Sequence, residues 1–558
     1  MRVTGITAIS NIADTTQTGR RKRWPVSALV LVLIMGLPLI WLAAAAMGSV
    51  AAGNNGLSAA MLPGALRETA TLMLSVGAAT AVLGLVSAWL VTHYEFPLRK
   101  VFDWALILPL AVPTYLAAYC YVEFLDFTGP VQQAIRALTG ASTLKDYWFP
   151  NIRSNGGAVM VLSLVLYPYV YVACRAFFLM QSGAVVSAAR ALGAGGARAF
   201  FTIILPLSRP ALIVGSTLAM MEVGNDLGAV QYFGVNSLTA VIYATWINRQ
   251  DFGGAAQLAV MIVLIIGLLI LLEQWARAGR RYLGNRDSRT PPPRERLGGV
   301  RAGLAVLFCL LLLGAGFGVP AGELLRLTVV QGESAWVGTG GALMTTLGLA
   351  GLGAVLTIMI GLYAARRGTG NRAARGAVRL ATLGYAIPGT VLALGLLQPL
   401  GGADRWLNGM LRGLTGWGPG LVLSGTVFAL LYVYAIRFLS VSHSTLDAAM
   451  KRRGTSMLDA ARVLGAGRFE IFFRIDLPTL APALLSAATL VFVEIIKELP
   501  ATLLLRPLGV ETLSTLVYAK ANAALFAEAA GPALAIVLAG LVPVVLATHL
   551  SARGKRSG

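Results

Sequence analysis

Charge is the scarcest property of this chain. Of its 558 residues only 12% are Asp, Glu, Lys or Arg, about half the ~25% of a soluble domain. So few charges cannot clothe a large water-facing surface, and a soluble fold is excluded before any motif is read. Cysteine is nearly absent: Cys120, Cys174 and Cys309 lie singly in or beside apolar runs. They build neither a disulfide framework nor a zinc-type spacing, and the plain role of small apolar filler suits all three. His93, His443 and His549 are equally scattered and make no metal cluster. A G-x-x-x-x-G-K-[ST] phosphate loop is also missing; Gly554-Lys555 has neither the upstream glycine nor a following Ser or Thr at that spacing. ATP binding by this chain is not expected, and no catalytic cluster marks it as an enzyme.

What is present is apolar: 57% of residues are hydrophobic and the mean hydropathy is +0.73. Runs long enough for the ~20 residues of a bilayer crossing fall near 26–48, 68–92, 101–122, 157–180, 209–233 and 255–275, then near 301–328, 341–364, 378–400, 419–441, 479–505 and 530–550. The expectation is an all-α polytopic membrane protein of about twelve spans. Arg20, Arg21, Lys22 and Arg23 before the first run resemble the start of a signal peptide, but the run is longer than an ordinary h-region. It is read as an uncleaved first span.

The net charge of +21 does not point to nucleic acid. Lys and Arg cluster between spans: Arg99 and Lys100, then Arg190 and Arg198, then Arg366 to Arg379, then Lys451 to Arg474, and in both tails. With twelve spans these alternate loops all fall on one side, as the positive-inside rule requires, which places both termini in the cytoplasm. A polar stretch around Pro291-Pro292-Pro293 separates the two sets of six and reads as a linker. The expected division is 1–285, a linker 286–300, and 301–558.

Two segments repeat. Ser187-Ala188-Ala189 leads to Gly193 and on to Leu205-Pro206; Asp459-Ala460-Ala461 leads to Gly465 and on to Leu477-Pro478. The numbers of Gly193 and Gly465 differ by 272, and so do those of Pro206 and Pro478. The equal offset implies two similar six-helix halves. In each copy an Ala-rich helix ends at a glycine, a second amphipathic piece follows, and Leu-Pro opens the next span. The pattern predicts a helix–turn–helix knob beneath the membrane.

This pattern resembles the EAA loop of binding-protein-dependent ABC importer permeases, with Asp459 in the acidic position and Ser187 in its place in the first copy. The resemblance implies that Ser187 to Pro206 and Asp459 to Pro478 each dock on one of two ATPase subunits, which carry the ATP and magnesium. It also implies a periplasmic solute-binding protein above and a bacterial inner (plasma) membrane location.

The same offset aligns acidic residues inside the spans. Glu222 matches Glu494 and Asp226 matches Glu498, each pair at i, i+4 and so on one helix face. A carboxylate at membrane depth costs ~2.5–3.5 kcal/mol on insertion scales, so four at repeat-related places suggest a shared purpose. One reading is an acidic lining of a substrate path, with Glu222, Asp226, Glu494 and Glu498 as oxygen ligands for a hard cation. The other is structural: Lys497 neutralises Glu494 or Glu498, or the carboxylates cap broken backbone. Tyr115, Tyr119, Tyr121, Tyr167, Tyr169 and Tyr171 fit either a path or an interfacial aromatic belt. Pro113 and Pro388 either break or merely kink the third span of each half.

Lys497-Glu498-Leu499-Pro500-Ala501-Thr502-Leu503-Leu504, followed by Arg506-Pro507, resembles ferric-iron importer permeases, as does Glu222 through Gln231-Tyr232-Phe233-Gly234. The resemblance runs from about residue 60 to the end and implies ferric iron as substrate. Fused permeases for thiamine and for 2-aminoethylphosphonate look alike at this level. From another class, an ion-coupled secondary transporter also has repeats and buried carboxylates, but gives no reason for two docking loops.

Overall fold

The computed structural model describes residues 26–53, 56–143, 145–180, 198, 200–278, 294–368, 372–453 and 456–554. In the first half α1 is Val26–Ala51, α2 Gly56–His93, β1 Tyr94–Glu95, α3 Arg99–Ala105, α4 Thr114–Leu125, α5 Pro130–Thr139, α6 Asn155–Met180, α7 Leu205–Asn225, α8 Gly228–Tyr232, α9 Leu238–Ile247 and α10 Phe252–Ala278. After β2, Glu295–Arg296, the second half comprises α11 Gly299–Leu313, α12 Val319–Gln331, α13 Thr339–Gly368, α14 Arg372–Ala381, α15 Gly389–Thr415, α16 Val427–Arg453, α17 Ser456–Val463, α18 Arg468–Ile471, α19 Leu477–Lys497, α20 Pro500–Leu505, α21 Leu513–Asn522 and α22 Ala530–Gly554.

The halves correspond in kind. The sequence offset recurs in the helix starts, from Asn155 of α6 to Val427 of α16 and from Leu205 of α7 to Leu477 of α19. A Cβ on Gly84 would meet Val170, and one on Gly361 would meet Ser442, the counterpart of Val170 at the same offset. The absent side chains allow the long second helix of each half to lie against the fourth. Hydroxyls also tie each second helix to the start of a later one: Leu238 N–H donates to Thr69 Oγ1 at 2.8 Å and Leu513 N–H to Thr346 Oγ1 at 2.8 Å.

Among the described residues nine helices are long and apolar enough to cross a membrane. Two further spans are bent pairs, with angles of 92° between 99–111 and 114–139, and 110° between 373–386 and 389–415. The twelfth expected run, 530–550, is helix α22, and the apolar helical stretch there among the fully described residues, Phe526–Val542, begins one 3-10 turn before it. The twelve expected spans thus become nine straight ones, two broken ones and a shorter apolar helix. The expected runs 209–233 and 479–505 also end early, at Asn225 and Lys497, because a carboxylate interrupts each helix there.

The outer surface is apolar. Leu264, Leu268 and Leu271 on α10 stand at i, i+4 and i+7, and all are more than half exposed; on a spanning helix this is the lipid face. The interior holds polar-tipped aromatics instead. Tyr115, Tyr119, Tyr121, Tyr167 and Tyr171 are buried, which corrects the belt reading for these five: they pack the bundle rather than mark its interface.

The first helix of each half packs on the other half. Trp41 Nε1 donates to Gln398 Oε1 at 3.0 Å, the Tyr432 hydroxyl donates to Ile34 O, and Gly395 faces the Pro38 carbonyl so closely that a Cβ would overlap it. Reciprocally, the Tyr121 hydroxyl donates to Ala315 O at 2.6 Å in the π-helical segment Gly314–Gly318 that joins α11 to α12. The linker end is also held: β2 pairs in parallel with β1, and Glu95 receives Arg99 at 3.0 Å and Arg294 at 3.9 Å.

The exchanged helix predicts a contrast between two glycines. Gly395→Val has no room and should cost about 1–3 kcal/mol, lowering the Tm of the purified full-length protein in detergent. Gly303→Val, whose Cβ meets nothing within 4 Å, should melt with the parent.

Candidate functional site: a carboxylate-lined cavity between the halves

Helix α7 stops at Asn225 because Asp226 leaves helical geometry, with φ −74° and ψ 126°. Helix α19 stops at Lys497 in the same way, with Glu498 at φ −68° and ψ 116°. Each carboxylate then closes the following short helix. Asp226 Oδ1 accepts from the Ala229 N–H at 2.8 Å, and Glu498 Oε1 from the Ala501 N–H at 2.9 Å. The freed carbonyls are met by hydroxyls: Thr239 donates to Gly224 O at 2.6 Å, and Ser514 and Thr502 donate to Glu498 O at 2.9 and 3.0 Å. Irregular backbone at membrane depth persists only with such partners or beside a cavity. The structural reading of the carboxylates as caps is therefore correct for Asp226 and Glu498.

Pro113 and Pro388 start α4 and α15, with ψ of 143° and 138°, so they break the third span of each half rather than kink it. Both broken regions open onto one cavity of about 380 Å³, lined by Glu222, Asp226, Glu494 and Glu498. Tyr115 and Tyr169 from the expected aromatic set also line it. All four carboxylates related by the offset thus meet, two from each half.

Their partners differ. Glu222 Oε1 accepts from the Tyr385 hydroxyl at 3.2 Å, across the halves. Glu494 lies 4.0 Å from the Lys497 ammonium, which donates to Leu110 O at 3.0 Å. Glu498 Oε2 lies 3.1 Å from Arg437 Nε. Of the two partners the sequence offered Lys497, the structure keeps the Glu494 contact alone. Arg437 went unnoticed in the sequence, although it is the single charged residue of the run 419–441.

The four carboxylates do not form a preassembled metal site. Among the described residues no three His, Cys, Asp or Glu are gathered to hold a metal ion. Two carboxylates are committed to helix starts and Glu498 also to Arg437, so the set lines a space without forming a coordination shell.

The docking segments are unequally described. Ser187, Ala188, Ala189 and Gly193 lie outside the described residues; Leu205 and Pro206 open α7, as Leu477 and Pro478 open α19. In the second copy Asp459, Ala460 and Ala461 lie on α17, and Ala461 is buried. Gly465 ends the helix at φ +84°, with its N–H donating to Arg462 O at 3.1 Å and the Ala466 N–H to Ala461 O at 3.0 Å. A positive φ favours glycine there. Val463, Leu464 and Phe469 around the turn are more than four-fifths exposed. Asp476, just before α19, pairs with Arg366, whose guanidinium sits 4.4 Å over the Phe472 ring.

Two broken, repeat-related halves around a shared cavity, with a knob leading into a spanning helix, define a multi-pass transport permease. The family described as "Binding-protein-dependent transport system inner membrane component" matches residues 81–279 and again 357–555. The chain belongs to this family: it is a permease subunit of an ABC transport system and not an enzyme. Membership sets aside the ion-coupled secondary transporter. It is 24% identical over 488 residues to the Fe(3+)-transport system permease protein FbpB 2 of Haemophilus influenzae, covering 86% of this chain and 88% of that one. It is 28% identical over 208 residues to the molybdenum transport system permease protein ModB of Escherichia coli K12, covering 36% of this chain and 87% of that one. The sulfate transport system permease protein CysT of Salmonella typhimurium is 26% identical over 212 residues, covering 37% and 73%.

The capping role gives a test. Asp226→Asn keeps an acceptor for the Ala229 N–H, whereas Asp226→Leu leaves a buried donor bare at about 1–3 kcal/mol. The Asn variant should elute as a single peak in size exclusion with near-parental Tm, and the Leu variant should aggregate or melt earlier.

Proposed function

We propose that this chain is the membrane path of an importer for ferric iron, a hard, oxygen-seeking cation. One observation carries the cargo reading: the cavity brings four carboxylates together against two cationic side chains, Arg437 and Lys497. An excess of negative charge in a low-dielectric space attracts cations and repels oxyanions such as molybdate and sulfate. The near full-length similarity to an Fe(3+)-transport permease supports the same cargo. The phosphonate of 2-aminoethylphosphonate meets the same repulsion. Thiamine is itself a cation, and its uptake in place of iron is an outcome the experiment reads.

On this reading the halves are 1–285 and 301–558 joined by a linker 286–300, with both termini cytoplasmic in a bacterial inner membrane. Two ATPase subunits carrying ATP and magnesium engage Ser187 to Pro206 and Asp459 to Pro478, and one periplasmic solute-binding protein delivers the cargo. The exposed apolar Val463, Leu464 and Phe469 support a protein partner at the second knob. From there α19 runs as one rod of 21 residues, roughly 30 Å at ~1.5 Å per residue. Its far end bears Glu494 and Glu498. A push on the knob therefore moves the carboxylates of the second half relative to those of the first.

Two uptake experiments follow, each with the permease, ATPase and binding protein together in proteoliposomes. Glu222→Gln with Glu494→Gln should lower ferric uptake at least tenfold without loosening ATPase association; unchanged uptake removes the acidic path, and thiamine uptake with no iron uptake replaces the cargo. Gly465→Val puts a β-branched side chain at φ +84°, a strain of about 1–2 kcal/mol. Uptake should fall several-fold while the protein stays in the membrane, and parental uptake would count against the docking role.

A further inference from the structure

Around the cavity two pairs of counterparts differ in charge: Asn225 against Lys497, and Val165 against Arg437. Val165 on α6 and Arg437 on α16 are counterparts at the offset that relates the starts of those two helices, and both line the cavity. The first half presents a methyl-bearing side chain where the second presents a guanidinium. Arg437 is only 8% exposed. Its Nε lies 3.1 Å from Glu498 Oε2, and another nitrogen donates to Ile387 O at 3.3 Å, the carbonyl freed at the Pro388 break. Glu222 and Glu494 add to the negative field around it. One tethered cation therefore sits among three carboxylates drawn from both halves.

The opposite corner is different. Asp226, the counterpart of Glu498, is 7% exposed, with Thr114 beside it. Its Oδ1 caps α8, the Thr114 hydroxyl is its other polar neighbour and no cationic side chain pairs with it among the described residues, while the Oδ1 of neighbouring Asn225 is buried with no hydrogen-bond partner. Both residues border the same cavity. The first half thus leaves its carboxylate without a cationic partner among the described residues, and the second half fills its equivalent with arginine.

We propose that Arg437 is a built-in counter-cation: it holds the cargo's place among Glu222, Glu494 and Glu498 between transport events, and a cation advances from the open Asp226 corner by exchanging with it on Glu498. This inference rests on the reading of the cavity as a cation path. An arginine suits the role because its charge is not removed by deprotonation, so the occupant leaves only by displacement. Arg437 rides on α16 and Glu498 ends α19, two helices of the same half, so the pair opens when a cation entering the cavity competes for Glu498. With the pair closed, the cage is neutralised on one side and an idle permease resists cation leak.

Terbium(III) tests this on the full-length protein in detergent, with luminescence sensitised by the nearby tyrosines as readout. Arg437→Met should bind terbium at least tenfold more tightly than the parent, Arg437→Lys should stay near the parent, and adding Glu222→Gln with Glu494→Gln to Arg437→Met should abolish the gain. In liposomes without ATP, Arg437→Met should also leak terbium faster. Equal terbium affinity in parent and Arg437→Met, with both weakened by Glu222→Gln and Glu494→Gln, overturns the arginine's role but leaves the acidic path standing. Terbium binding indifferent to those carboxylates overturns both. Because Arg437→Met leaves Glu498 buried alone and risks misfolding, Val165→Arg provides a second measure. A guanidinium placed in the cavity at the counterpart of Arg437 should lower terbium affinity and ferric uptake at least tenfold, and unchanged values overturn the proposal.

Discussion

A helix that ends inside a bilayer leaves backbone N–H and C=O groups with no water to bind, and each must find a partner in the protein. This chain ends helices at that depth in both halves. At two of the breaks the partner is an acid: Asp226 and Glu498 close the next helix on their own side chains, and Thr239, Ser514 and Thr502 take up the carbonyls. The prolines at 113 and 388 make the other two breaks. The cavity exists because straight helices would have filled it. The same residues that stabilise the breaks thereby put oxygen acceptors along its wall.

That economy explains why structural and path readings of the carboxylates do not compete. A cap uses one oxygen. The second oxygen is free to differ between halves, and it does: Glu498 takes Arg437 while Asp226 has Thr114 beside it. Pseudo-symmetry sets the scaffold and its local departures set the charge. The exchanged first helices, with Trp41 on Gln398 and Tyr121 on Ala315, join the halves into one body whose relative motion is limited to what those contacts permit. On the proposed reading, the rod from Leu477 to Lys497 converts a push at Gly465 into a shift of Glu494 and Glu498.

Much of this was legible from residue order. The constant offset aligned the Leu-Pro helix starts and all four carboxylates, and composition alone required membrane spans. Span ends were less legible. Hydropathy carried the fifth span of each half past Asp226 and Glu498, since the residues beyond them are apolar and a window average does not register one cap. The tyrosines were ambiguous because a buried ring and an interfacial ring have the same hydropathy. Arg437 was overlooked because it stands alone, without a repeat partner to draw attention to it.

The sequence by itself determined the class: two homologous halves, the knob with its required glycine, and acids recurring at one helical face. These follow from local chemistry and periodicity, which a one-dimensional pattern records. Only the tertiary structure decided that the four acids share a single space, that Lys497 stays with Glu494 while Glu498 belongs to Arg437, and that the first helix of each half packs on the other. Those are contacts between segments far apart in the chain. They depend on how broken helices cross, and no spacing along the sequence encodes it.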